Sequence, residues 1–552
     1  MLVQRRIGLL FAAFLVLLSL AGLRALQLGV LSGDRYAQAA TSQQMHMDVV
    51  PADRGSIVDR RGVELAVSEP ADDISATPYL VKDPGAVARK LAPLLFKDPD
   101  EVLELLTRRD TGFVFLARQV PASRAKKVQE LAIEGIDVTP NQSRAYPRDS
   151  LASQVLGTVG LDGDGLRGLE YRFDKLLKGH DGKRQRVRDG VGDAVSVRDV
   201  VPARPGQTVR LTIDANIQDK VEEVLKGLGA TYSPKGATAV VMDPQTSEVL
   251  ALANWPAVDA NKPGAAPPYA TQNRAVGATY EPGSTFKAIT VAGALEEGVV
   301  KPDTEFDLPP SIQVADRTIE ESHPRGPVTL STAEILAQSS NVGAIKVGMA
   351  LGDKRFDHWM RKFGFGRPTG VALPGEERGI LPLLKNYSGS TMGNLPIGQG
   401  QSVTPMQMAQ AYAAIANGGV LRTPRMVRSI GGEPVAAPRG KRVISQNTAA
   451  ALRGMLKGVF APGGTASEVH IPGYDLAGKT GTANKVDAAT GEYSKANYIA
   501  SFVGFAPTNR PKLLISVMVD EPHGAIYGGE VAAPAFGRIA AFALPYLGIE
   551  PR

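Results

Sequence analysis

The sequence predicts a mixed α+β protein with three parts: an N-terminal membrane helix, an extended β-rich pedestal, and a larger domain with an antiparallel sheet flanked by helices. Three observations carry this. An uncharged apolar run fills residues 7–23, between Arg5-Arg6 and Arg24. Residues 45–208 break into short strand-like stretches and a few helices, punctuated by glycine and proline. Residues 209–548 place strand patterns at both ends and helical patterns in the middle.

The bulk properties narrow the possibilities. A chain of 552 residues has room for two or more domains, and 43% hydrophobic with 21% charged residues is a folded composition. The net charge of +6 is dispersed along the chain. Its densest basic run, Lys183-Arg184-Gln185-Arg186-Val187-Arg188, alternates like the solvated face of a strand, which argues against nucleic acid as a partner. There is no cysteine, so disulfide and thiol chemistry are excluded. The six histidines are scattered without ligand spacing, so neither a metal site nor a cofactor is expected.

Taken in order, residues 1–6 read as a cytoplasmic start and residues 7–28 as an uncleaved anchor. Leu26 and Leu28 extend the apolar face, and Arg24 can snorkel to the headgroups. The basic start places the remainder of the chain outside the cell; a cleaved signal peptide is the alternative. In the 45–208 module a helix is expected over 84–92, capped by Asp83 and stopped by Pro93, and another over 100–107. Three charge-and-glycine knots punctuate this module: Arg54 to Gly62, Arg144 to Pro147, and Gly168 to Glu170. Each reads as a surface turn or a structural clasp, and no nucleophile with a base accompanies them.

A composition change at 202–206 opens the 209–548 domain. A strand is expected at 209–214, a helix at 215–228, and a hairpin from 237–242 to 248–253 around Asp243 to Ser247. Ser331-Thr332-Ala333-Glu334 has the form of a capping box whose helix ends near Ser339. Helices follow at 342–351, stopped by Gly352, and at 404–416, closed by Asn417-Gly418-Gly419. Strands at 476–483, 498–505 and 512–519 and a helix at 532–544 complete the domain.

The chemistry concentrates in Tyr280-Glu281-Pro282-Gly283-Ser284-Thr285-Phe286-Lys287, a Pro-Gly turn opening an apolar helix. Spacing of three puts Ser284 and Lys287 on one face. A serine hydroxyl needs a base to become a nucleophile, and a desolvated lysine can be neutral often enough to serve. Ser339-Ser340-Asn341 lies roughly 55 residues downstream and Lys479-Thr480-Gly481-Thr482 roughly 195. These three elements in this order resemble the set shared by β-lactamases and penicillin-binding proteins. The three pedestal knots are similar to motifs of class B penicillin-binding proteins, which carry transpeptidase but no glycosyltransferase activity.

That resemblance implies a peptidoglycan D,D-transpeptidase. Ser284 would attack the D-alanyl-D-alanine carbonyl of a stem peptide, and a neighbouring amine would take the acyl group; β-lactams would acylate the same serine. By the same resemblance Lys287 is the base, Ser339 relays a proton, and Asn341 holds Lys287 and substrate. Lys479, Thr480, Gly481 and Thr482 serve the substrate carboxylate, and the N–H groups of Ser284 and Thr482 form the oxyanion hole. Gly398-Gln399-Gly400 resembles a glycine-rich segment near that family's site, or is a plain turn. Ser339-Ser340-Asn341 and the modest length suggest the division type, acting in septal wall synthesis with a membrane glycan polymerase of the shape-elongation-division-sporulation family. Elongation- and sporulation-type enzymes are the alternatives. A β-lactamase would need a deacylating glutamate, a β-lactam sensor a cytoplasmic signalling region, and an idle scaffold no intact triad.

Overall fold

The computed structural model describes residues 2–28, 45–188, 194–487 and 490–551. The first helix, Leu2–Leu26, starts earlier than the charge pattern suggested and runs through Arg5 and Arg6. Its 23-residue segment Gln4–Leu26 contains an 18-residue stretch of mean hydropathy 2.3. At 1.5 Å per residue the whole segment is about 34 Å long, enough to cross a hydrocarbon core of about 30 Å.

A three-stranded antiparallel sheet follows, with Gly182–Arg188 between Met45–Val50 and Ala194–Val201. The long strand Glu64–Ala76 pairs with Ile136–Ala145 and with Val114–Pro121. Helices Pro84–Leu95, Pro99–Leu106 and Ala122–Glu130 pack beside these strands around a local core that includes Leu91, Leu106, Leu116 and Val128. Asp83 caps the first of these helices, as expected, but Pro93 does not stop it. Proline removes one backbone hydrogen bond there; burial of Leu91 and Leu95 across the last turn offsets that loss, and Phe96 ends the helix at φ 53°.

The three charge-and-glycine knots converge. Arg54 Nε and Arg144 Nε each donate to Glu170, both at 2.7 Å, and Glu170 is fully buried. Arg54 Nη1 also reaches Asp174 at 2.8 Å. The arrangement is a clasp drawing together segments more than a hundred residues apart in the chain. Beside it, Ile57–Val58 pairs in parallel with Val209–Leu211, which pairs in turn with Val427–Ile430. One buried core also joins Ile57, Leu169 and Leu177 to Val209, Val240 and Phe286. A sheet and a core therefore both continue across residue 208.

The half that follows residue 208 is built on a five-stranded antiparallel sheet. Its order is Val249–Trp255, Gly236–Met242, Leu513–Asp520, Tyr493–Ala506, Ala477–Val486. Both faces are apolar, so side chains alternate between two cores. Leu514, Met518 and Val503 belong to one; Ile515, Val517 and Phe502 belong to the other, with helices Ala215–Tyr232 and Gly528–Tyr546. Against the first face lie Lys287–Glu296, which is buried almost all round, and Pro405–Ala416. Ala477–Val486 is the sheet's edge, and the short turn Gly283–Phe286 lies along it.

Candidate active site

Ser284 sits in a single 3₁₀ turn, Gly283–Phe286, and Lys287 opens the α-helix that continues from it. The turn is held at both ends. Thr285 Oγ1 donates to Pro282 O at 2.7 Å, and the buried Tyr412 hydroxyl donates to Thr285 O at 2.6 Å. Gly283 has φ +52° and its N–H donates to Gly398 O at 3.1 Å. A Cβ on Gly398 would come within 2.1 Å of Gly283 O, so the glycine-rich 398–400 segment is the floor of the serine turn. On the edge strand, a Cβ on Gly481 would meet Ser501 Oγ at 2.4 Å and Thr285 Cγ2 at 2.9 Å. Glycine at 481 lets strand and turn touch.

Helix Thr332–Ala337 carries the expected capping box, with Ser331 and Glu334 satisfying each other's backbone. The chain then reverses at Ser339, whose φ is +63°. Ser340, not Ser339, caps the next helix, accepting from Gly343 N at 2.9 Å, which leaves the half-buried Ser339 hydroxyl free of any capping duty.

Lys287 is fully buried, and among the described residues no carboxylate touches it. Its Nζ donates to Ser339 O at 2.6 Å and to Asn341 Oδ1 at 2.7 Å, and lies 3.4 Å from Ser339 Oγ. Burial pushes its pKa down to about 7, with the Glu321 charge pulling the other way. A neutral amine has two N–H groups and one lone pair. Two acceptors use both N–H groups, so the lone pair is left for a proton. Lys479 is equally buried; burial and then the Lys287 charge hold its pKa well below the usual lysine range. Its Nζ reaches Thr480 O at 3.2 Å and Thr480 Oγ1 at 3.4 Å.

Ser284 and Lys287 thus come from one helix start, Ser339 and Asn341 from one reversal, and Lys479 from one edge strand. The threonines divide. Thr480 Oγ1 pairs with Thr465 Oγ1 at 2.7 Å, while Thr482 Oγ1 accepts from Gly528 N at 3.0 Å. Among the described residues no group of His, Asp or Glu could hold a metal ion.

Known proteins share this arrangement. Residues 237–541 match the penicillin binding protein transpeptidase domain, and residues 49–211 the penicillin-binding protein dimerisation domain. The chain belongs to the class B penicillin-binding proteins. It is 35% identical to penicillin-binding protein PbpB of Mycolicibacterium smegmatis, over 96% of this chain and 89% of the relative. It is 36% identical to stage V sporulation protein D of Bacillus subtilis, over 91% and 79%. The crystal structure of penicillin-binding protein 3 from Mycobacterium tuberculosis complexed with aztreonam superposes with a TM-score of 0.72 at 32% identity, covering 92% of this chain and 98% of that one.

This penicillin-binding protein also uses residues that its motifs do not announce. Glu321 accepts from Asn341 N and from Ser340 Oγ, both at 2.6 Å. Glu281, just before the serine turn, accepts from Gly400 N at 2.9 Å and from the Tyr493 hydroxyl at 3.1 Å. Both lie in contacts made by tertiary packing; only the position of Glu281 beside the Pro-Gly turn offered a sequence signal.

Proposed function

We propose that this class B transpeptidase cross-links peptidoglycan stem peptides through an ester on Ser284. The observation that carries the reading is the buried Lys287, which is hydrogen-bonded to Ser339 and Asn341 but paired with no acid. Lys287 takes the Ser284 proton as Ser284 Oγ attacks the carbonyl between two terminal D-alanines. Backbone N–H groups of Ser284 and Thr482 receive the developing oxyanion, and loss of one such donor typically costs roughly a hundred- to a thousand-fold in rate. Ser339 passes a proton to the departing D-alanine amine. Lys479 and the threonine hydroxyls of 480 and 482 face the substrate carboxylate, and Gly481 keeps the strand close to the serine. An acceptor amine from a second stem then resolves the ester, returning its proton along the same path. β-Lactams enter by the same attack and stay as a stable ester.

In this reading residues 7–28 anchor the protein, 1–6 stay in the cytoplasm, 45–208 form a pedestal and 209–548 the catalytic domain outside the cell. The pedestal and anchor suit a membrane glycan polymerase partner at the septum. Similarity to stage V sporulation protein D supports a second reading, action during sporulation. Incubation with benzylpenicillin followed by intact-mass analysis tests the chemistry. One adduct is expected on the peptide containing Ser284 and none in Ser284→Ala; an adduct elsewhere overturns the assignment. Fluorescent-fusion imaging at vegetative septa against spore envelopes separates the two settings.

A further inference from the structure

We propose that Glu321 is a positioning residue for the acyl transfer: its carboxylate locks the Ser339-Ser340-Asn341 reversal so that Asn341 Oδ1 faces the Lys287 amine. This rests on the reading of Lys287 as the base for Ser284.

Glu321 follows the short strand Arg317–Glu320, and its side chain is 6% exposed. Oε2 accepts from Asn341 N at 2.6 Å. Oε1 accepts from Ser340 Oγ at 2.6 Å and from Arg325 Nη2 at 2.5 Å. Asn341 N is one of the unsatisfied donors at the start of helix Asn341–Leu351, and a negative charge is favourable there. The neighbouring backbone finishes the alignment, because Asn341 Nδ2 donates to Glu320 O at 2.9 Å. With the amide nitrogen committed to Glu320, the amide oxygen has to turn toward Lys287, 2.7 Å away. The Glu321 carboxylate therefore fixes the backbone and the helix cap, and the carbonyl of the residue before it fixes the rotamer of the group that holds the base.

The carboxylate has a second effect through space. The charged groups facing Lys287 are Lys479 from the edge strand and Glu321 from the segment after Arg317–Glu320, with Arg325 behind Glu321. Glu321 favours the protonated amine. Its negative charge therefore limits how far burial can depress the base, and Arg325 moderates that charge.

The test is the pH dependence of benzylpenicillin acylation by the full chain in detergent, with thermal melts as a folding check. Glu321→Gln keeps the length and an acceptor but loses the charge. Its plateau rate is expected to fall about tenfold or more from lost alignment. Its acid limb is expected to move to lower pH by roughly half a unit to one unit. Glu321→Asp, which retains the charge, should keep the limb near wild type. Arg325→Gln removes the moderating cation and should move the limb to higher pH, giving an independent reading if Glu321→Gln does not fold. A purely structural residue would lower stability and plateau together and leave the limb in place. Unmoved limbs in folded Glu321→Gln and Arg325→Gln overturn the proposal. Wild-type protein that does not acylate at Ser284 overturns the underlying reading instead.

Discussion

The pedestal clasp and the catalytic pocket bury ionisable side chains to the same depth and resolve the cost in opposite ways. Glu170 has no exposed surface, yet a guanidinium meets each of its oxygens at 2.7 Å. Lys287 and Lys479 also have no exposed surface, and neither touches a carboxylate. Removing an ion from water costs several kcal/mol even after relaxation. In the clasp, ion pairing and hydrogen bonds meet that cost, and the result is rigidity. In the pocket it is left standing, so the lysines shed protons more readily, as the base role proposed for Lys287 requires. Pairing a buried charge makes an anchor, and withholding the pair makes a reagent.

The comparison can be broken at either end. Lys287→Met should keep the fold, since methionine suits a buried helix start, and should reduce penicillin acylation about a hundred- to ten-thousand-fold in stopped assays. Glu170→Ala should do the reverse. It takes the shared carboxylate from two buried guanidiniums, of which only Arg54 keeps another in Asp174, and should cost about 3–5 kcal/mol in chemical denaturation, while each folded molecule still acylates at Ser284. A Glu170→Ala protein of wild-type stability would mean that the clasp is idle.

A further consequence concerns stability against pH. The folded pKa of Lys287, about 7, lies below the ordinary 10.5, so the unfolded chain binds the extra proton between those values. The penalty is fully present below about pH 7 and fades as pH rises toward about 10.5. Wild type should therefore gain stability relative to Lys287→Met across that window, as denaturation at several pH values would show. The smallest effect sharpens the local account: Ser331→Ala should cost about 1 kcal/mol, the ordinary worth of an N-cap, and loosen the helix that leads to Ser339.

Much of this was legible in the residues, where local rules decide. The Ser331-Glu334 capping box, the Gly352 stop, the hairpin around Asp243 to Ser247 and the edge strand through Lys479 all appear as expected. Motif order also singled out Lys287, Ser339 and Asn341, which the fold joins by hydrogen bonds. The failures are tertiary. Pro93 reads as a stop, but burial of Leu95 carries the helix past it. Glu321 sits among other charged residues and has no spacing rule; only the fold brings it beneath Asn341. Nor could spacing reveal that the 209–211 strand joins 57–58 in one sheet, because that pairing spans about 150 residues.

The central claim is that Lys287 is a base because it is buried without an acid partner. The most direct measurement is the rate of Ser284 acylation by benzylpenicillin in the full chain, followed by intact mass from about pH 5 to about pH 9. The account predicts a rate that climbs as one group loses its proton, with an apparent midpoint near the Lys287 value of about 7, and no climb in folded Lys287→Met. A flat profile, or the same climb in Lys287→Met, would contradict it.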